Sequence, residues 1–114
     1  MPEKLYSLDL VKKLAHNNYE VIHKLIHVFM EQAPVSVSDI KSAYYSKNYE
    51  VVSTLAHKIK PTYGYFAISG TEKDIELIEK LSVIGSPSPE IEEIIIKLEQ
   101  ATRLVVAEMK ADLN

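Results

Sequence analysis

The spacing of apolar residues is helical along almost the whole chain. Near its end, apolar residues recur at steps of three and four, as on one face of an amphipathic helix: Ile91, Ile94, Ile95, Leu98, Ala101, Val105 and Met109. Only three glycines and five prolines serve all 114 residues, whereas an all-β sandwich needs a turn signal every ~8–12 residues. The sequence therefore predicts an all-α fold and excludes a turn-rich β fold.

Caps and chain breakers divide the second half of this pattern into helices. Ser88-Pro89-Glu90 is a typical helix start after the loop at residues 85–87, because it combines a capping hydroxyl, a proline and an acid. Thr71, with Asp74 three residues on, is predicted to cap a shorter helix. Gly70 is predicted to end the helix before it.

The first half reads in the same way. Ser7 is predicted to cap a short helix, and Asn17-Asn18 to break the chain and cap a second helix. Pro34 is predicted to kink or interrupt that second helix. Asn48 then caps a helix from about Tyr49 to Ser69.

Five or six helices with short connections favour an antiparallel up-down four-helix bundle with an additional short N-terminal helix. We expect one domain over residues 1–114.

Charge and composition exclude several classes of protein. The net charge is −3 without a block of Lys or Arg, so binding to nucleic acid or to an anionic membrane is disfavoured. Cysteine is absent, which excludes disulfides, a thiol nucleophile and thiolate ligands for zinc. No apolar run approaches the ~20 residues that span a bilayer, and the first residues lack the apolar core of a secretory signal. We therefore expect a soluble, cytoplasmic monomer.

One histidine lies on the wrong side of its helix to be a core residue. At about 100° per residue, the apolar side chains of this helix are centred opposite His57: Val52, Leu55, Ile59, Tyr63 and Phe66. His57 is therefore predicted to face solvent. Lys60, one turn later, is predicted to lean back over the imidazole, since helical side chains tilt toward the N-terminus.

The neighbours of His57 on this face are compact apart from Lys60: Ser53, Thr54, Pro61 and Gly64. A cation keeps more of an imidazole neutral and nucleophilic, and it would compensate the charge of a phosphoryl group on the ring. General-base catalysis is less well served because no neighbouring carboxylate orients the ring, and no second metal ligand lies one turn away. The plain alternative is an ordinary surface histidine. Against it, Pro61 and Gly64 both lie in the helix near His57, where they cost about 3 and 1 kcal/mol.

Ala56-His57-Lys58-Ile59-Lys60 resembles the A-H-x-[LI]-K signature of histidine phosphotransfer (HPt) domains, the relay modules of two-component signalling. The resemblance extends to the opening helix at residues 6–10, to an F-x-x-x-x-P segment at residues 29–34, and to the long last helix.

The resemblance implies that His57 is the phosphoacceptor, on the outer ring nitrogen, and that Lys60 stabilises the phosphoryl group. It implies receiver domains of response regulators or hybrid sensor histidine kinases as partners, with Mg²⁺ bound by the receiver and no cofactor here. It also implies a phosphorelay intermediate that is not an ATP-dependent kinase. Ser53, Thr54, Pro61 and Gly64 would form the rim of the site and dock the partner. Many members have Gly directly after the lysine, where this chain has Pro61.

Other interpretations remain open at this point. A helical adaptor derived from an HPt domain would bind a signalling partner without phosphotransfer. His23 and His27, four residues apart, could ligate zinc, although a surface pair is the simpler interpretation. The tyrosines at 44, 45 and 49 could pack in the bundle or dock a receiver. The acidic runs of residues 72–76 and 90–93 are interpreted as solvated helix faces.

Overall fold

All the regular secondary structure in the described part of the chain is helical. The computed structural model describes residues 5–68 and 70–113. The helices are α1 (Asp9–Leu14), α2 (Tyr19–Tyr45), α3 (Tyr49–Tyr65), α4 (Thr71–Val83) and α5 (Pro89–Leu113). The predicted all-α class is confirmed, and His57 lies on α3. None of these helices combines the length and the apolar character that a membrane crossing requires.

Helices α2 to α5 form an antiparallel bundle, as predicted. α3 packs between α2 and α4, and α5 closes the ring by packing against α4 and α2. Branched aliphatic and aromatic side chains fill the centre, among them Phe29, Ile40, Val52, Tyr63, Ile75, Ile78, Ile91 and Leu98. The short α1 adds Val11 to the same core. The bundle therefore has one continuous core, which leaves the outer face of α3 free.

Pro34 does not interrupt α2, so this part of the prediction is wrong. The helix continues from Tyr19 to Tyr45 with Pro34 inside it. A proline removes one intrahelical hydrogen bond and costs about 3 kcal/mol. Ala33 and Val37 on either side of it are both buried. Burial of the apolar face before and after Pro34 outweighs the local cost, because packing supplies most of the stability of a helix in a protein.

Three helices end at a residue other than glycine in the left-handed conformation. His16, Lys47 and Ala67 have φ of 50°, 62° and 47°. After Ala67, the Ile68 N–H donates to the Tyr63 carbonyl, and the Ala67 N–H donates to the Gly64 carbonyl, the pair of bonds that defines a Schellman motif. α3 therefore ends at Tyr65, before the predicted Ser69, which itself lies outside the described residues.

The helix starts agree with the sequence in part. Asn18 Oδ1 accepts from the N–H of Glu20 at 3.1 Å, as predicted, and Pro89 is the first residue of α5. Asn48 occupies the cap position of α3 without a side-chain hydrogen bond. At α1, the Ser7 hydroxyl accepts from the Asp9 N–H at 3.2 Å, although Leu8 is the capping residue.

The predicted cap at Thr71 is wrong. Thr71 is the first residue inside α4, is buried, and donates its hydroxyl to the Ile68 carbonyl at 2.8 Å. The cap residue is Gly70, with φ of 76°. Gly70 therefore begins α4 and does not end α3. The turn between the two helices sets how α4 lies along α3, and so determines which residues of α4 approach His57.

Candidate functional site

His57 projects from the middle of α3 into solvent. Its side chain is 77% exposed, while the opposite face of α3 is buried through Val52, Ile59 and Tyr63. Leu55 is only half-buried, and Ala56 is buried against the core instead. The helix thus presents the imidazole on an open surface, where a macromolecular partner could reach it.

A carboxylate from the next helix holds the imidazole. Glu79 Oε1 lies 2.8 Å from His57 Nδ1, and the Glu79 side chain is only 27% exposed. An ionised carboxylate can only accept a hydrogen bond, so Nδ1 carries the proton and donates it. The second ring nitrogen, Nε2, then holds the free lone pair. The expectation that no carboxylate orients this ring is therefore wrong, because the carboxylate comes from α4 and not from α3.

Lys60 is engaged by α4 and not by the imidazole. Its Nζ donates to Glu76 Oε1 at 2.6 Å, and both side chains are partly exposed. The hydrogen bond to Glu76, together with the charges of Glu79 and Glu72, raises the pKa of Lys60. The same hydrogen bond lowers the pKa of Glu76. The hydrogen bond of Lys60 thus goes to Glu76, and the position of Lys60 over the ring stays a prediction.

Two of the predicted rim residues, Ser53 and Gly64, face α4. The Ser53 hydroxyl donates to the backbone carbonyl of Glu79 at 3.3 Å. A Cβ on Gly64 would lie 2.6 Å from Glu72 Oε1, the end of a flexible side chain. Gly64 thus lets the Glu72 carboxylate lie close to α3.

The other two rim residues border His57 on its open side. Thr54 is exposed, and its hydroxyl donates to the Glu50 carbonyl at 3.0 Å, within α3 itself. Pro61 is exposed as well, inside the continuous α3. Neither side chain contacts α4 through a hydrogen bond, so both remain available to a partner.

The residues that the sequence did not single out are the acids of α4 that face α3. Glu72, Glu76 and Glu79 are spaced by four and three residues, and they lie beside Gly64, Lys60 and His57, which are spaced by four and three in the opposite direction. Glu72 and Glu76 are at least partly exposed, as the interpretation of residues 72–76 as a solvated face requires, but they also face α3. Matching spacing on two antiparallel helices is the signal that could have paired these residues.

The tyrosine cluster belongs to the end of the bundle. Tyr44 is buried, and its hydroxyl both donates to the Ser88 carbonyl and accepts from the Ser88 N–H, at 3.0 Å each. The rings of Tyr45 and Tyr49 pack edge-on against Tyr44. The cluster thus holds the connection between α4 and α5, and Tyr45 is 58% exposed.

The pair of histidines on α2 is a surface pair. The rings of His23 and His27 are 6.3 Å apart, and both side chains are exposed. Within residues 5–68 and 70–113, no three or more His, Asp or Glu side chains are grouped so that they could hold a metal ion. The zinc interpretation therefore has no third ligand in this part of the chain.

The geometry around His57 suits a nucleophile on an open surface. The ring is oriented through Nδ1, Nε2 has its lone pair free, and an ammonium lies one helical turn away. Such an arrangement can accept an electrophilic group that another molecule presents.

No protein-family model and no curated protein matches the sequence. A solved structure does match: the HPT domain from the Hpt sensor hybrid histidine kinase from Shewanella, with a TM-score of 0.75. The match covers 94% of this chain and 92% of that chain at 19% sequence identity. The resemblance found in the sequence is confirmed at the level of the fold: the chain has the helical bundle of a histidine phosphotransfer domain.

Proposed function

We propose that this protein is a phosphotransfer intermediate that carries a phosphoryl group on Nε2 of His57. The observation that carries the proposal is the exposed imidazole whose Nδ1 is held by Glu79 at 2.8 Å, on the middle of α3 in an HPt-type bundle. The donor and the acceptor are receiver domains of response regulators or of a hybrid sensor histidine kinase. The chain itself is not an ATP-dependent kinase, and we expect it to act as a cytoplasmic monomer.

The transfer needs little from this chain beyond a positioned nucleophile. The Nε2 lone pair attacks the phosphorus of a receiver aspartyl phosphate, the N–P bond forms, and the P–O bond to the aspartate breaks. The aspartate leaves as a carboxylate, and the ring becomes a phosphorylated imidazolium that keeps its proton on Nδ1. Glu79 stabilises that positive charge through the hydrogen bond it already makes. Reversal of these steps passes the phosphoryl group to a second receiver.

Lys60 supplies the compensating charge in this proposal. Phosphorylation adds close to two negative charges, and Lys60 lies one turn from His57 on a long, partly exposed side chain. Mg²⁺ belongs to the receiver, and no cofactor is needed here. Thr54 and Pro61, exposed beside His57, leave room for the receiver to dock, whereas Ser53 and Gly64 face α4.

Phosphotransfer from a purified receiver tests the proposal. We expect wild-type protein, mixed with a phosphorylated receiver and Mg²⁺, to gain an acid-labile, base-stable phosphoryl group. His57→Gln should abolish labelling, whereas His27→Gln, which alters an exposed histidine of α2, should leave it unchanged. Equal labelling of wild type and His57→Gln across a panel of receivers would exclude His57 as the acceptor.

A further inference from the structure

Lys60 is not free to meet a phosphoryl group, because Glu76 already binds it. The Nζ–Oε1 distance is 2.6 Å, so the ammonium and the carboxylate are in direct hydrogen-bond contact. Resting on the function proposed above, we propose that Glu76 is a positioning residue that competes with the phosphoryl group for Lys60 and thereby sets how readily His57 gives the group up.

The competition follows from where the three side chains lie. His57 and Lys60 are one turn apart on α3, and Glu76 and Glu79 are one turn apart on the antiparallel α4. Each residue of α3 is paired with the acid beside it, His57 with Glu79 and Lys60 with Glu76. A lysine has a flexible side chain and a single charge. Lys60 can therefore form a close ion pair with Glu76 or with a phosphoryl group on His57, but not with both at once.

The two acids act differently on the phosphorylated state. Glu79 contacts the far side of the ring and keeps its hydrogen bond when Nε2 carries phosphorus. Glu76 must release Lys60, or share it, before the ammonium can approach the phosphoryl oxygens. Glu79 therefore favours the phosphorylated state, whereas Glu76 disfavours it. The balance between them lets the same site accept a phosphoryl group from one receiver and yield it to another.

Glu76→Gln should remove the competitor and leave Lys60 for the phosphoryl group. Partly exposed ion pairs are weak, so we expect a change of about two- to fivefold in the equilibrium toward phosphorylated protein, and a similar lengthening of the lifetime of phosphohistidine. Glu72→Gln is the matched control, because Glu72 carries the same charge on the same side of α4 and makes no hydrogen bond to Lys60.

A double-mutant cycle shows whether Glu76 acts through Lys60 or by its own charge. In a Lys60→Met background, Glu76→Gln should no longer change the phosphorylation equilibrium or the lifetime of phosphohistidine, because there is no ammonium left to compete for. NMR titration of the Lys60 side chain gives an independent readout, since Glu76→Gln should bring its raised pKa down toward the ordinary value. A merely structural role of Glu76 would not make its effect on the equilibrium and on the lifetime depend on the presence of Lys60.

The measurement uses two phosphoryl donors. Ammonium phosphoramidate transfers its phosphoryl group to the imidazole with loss of ammonia, and after its removal the decay of phosphohistidine gives the lifetime without a receiver. A receiver that labels wild type gives the equilibrium. Labelling of His57 with equal values for wild type, Glu76→Gln and Glu72→Gln would overturn this inference alone, as would an effect that persists in Lys60→Met. If neither donor labels His57, the proposed function fails and this inference fails with it.

Discussion

Removal of the Glu79 carboxylate should release the imidazole from its present tautomer. Nucleophilic attack by Nε2 requires the proton on Nδ1, and Glu79 Oε1, 2.8 Å away, holds it there. A hydrogen bond to a charged group contributes about 1.5–3 kcal/mol when it is shielded from water. His57 is 77% exposed and Glu79 27%, so solvent screening reduces this figure to about 1 kcal/mol.

An energy of that size corresponds to about a fivefold change in the ratio of the two tautomers. In Glu79→Ala we therefore expect a mixture of tautomers, and phosphoryl acceptance that is slower by about two- to fivefold. Glu79→Gln should retain more of the Nδ1–H tautomer, because the amide oxygen can still accept the hydrogen bond. Its rate should lie between those of wild type and Glu79→Ala, since the charge that stabilises the imidazolium is lost.

Long-range ¹H–¹⁵N correlation spectra distinguish a protonated from a bare ring nitrogen and report the tautomer directly. Spectra recorded at about pH 8.5, where imidazoles are ordinarily neutral, are to be paired with rates of labelling by a phosphorylated receiver. Glu72→Ala is the control, because it removes an acid from the same side of α4 without a hydrogen bond to the ring. If Glu79→Ala keeps the wild-type tautomer and the wild-type rate, Glu79 does not orient His57 and the reasoning fails.

Three further predictions concern stability, each measured by denaturant unfolding. Ala67→Gly should stabilise the protein by about 1 kcal/mol, because glycine adopts φ of 47° without the strain that alanine has there. Ala107→Gly, at an exposed position inside α5, should destabilise it by a similar amount. Destabilisation by both substitutions would contradict the helix end described above. Ser82→Ala should stabilise by about 1 kcal/mol, because the buried Ser82 hydroxyl has no hydrogen-bond partner among residues 5–68 and 70–113; a loss of more than that amount would reveal a partner, and the exposed Ser38→Ala serves as control. Burial raises the pKa of Tyr63 to about 12, above the unfolded value of 10.0. The unfolded chain therefore loses this proton at a lower pH than the folded protein does. About 2 to 3 kcal/mol of stability that is present below pH 10 should be lost as the pH rises toward 12. Tyr63→Phe should flatten that part of the profile, and an unchanged slope would show that Tyr63 does not cause it.

The sequence predicted what depends on local periodicity. The all-α class and the face on which His57 lies both follow from steps of three and four residues, and both hold in the structure. Asn18 and Pro89 marked helix starts because their effects on the backbone act within one turn. These features do not depend on what the rest of the chain does.

Contacts between helices could not be predicted from the local sequence pattern. Glu79 and Glu76 reach His57 and Lys60 from a different helix, and which turn meets which depends on the path of the chain through Ala67 and Gly70. A left-handed alanine has no sequence signal as clear as a glycine, so the end of α3 was placed too late.

Pro34 was misjudged for a related reason. Its local cost is fixed by its chemistry, but whether the helix breaks there depends on how much apolar surface each flank buries in the bundle. Ala33 and Val37 are both buried, which no count of local preferences reveals. The same limit applies to the polar contacts of α4, because they depend on packing that only the assembled bundle defines.

The charges on α4 do not by themselves determine which turn of α4 lies beside which turn of α3. If α4 slid by one turn, about 5.4 Å, Glu76 would come beside His57 and Glu72 beside Lys60, and both polar pairs would form again. That slide would place Thr71, the first residue of α4, in the position of the fully buried Ile75, and would force Ile78 into the space of the smaller, buried Ser82. The alignment is thus selected by the buried side of α4, so substitutions there are as able to change the chemistry of His57 as substitutions among the acids that contact it.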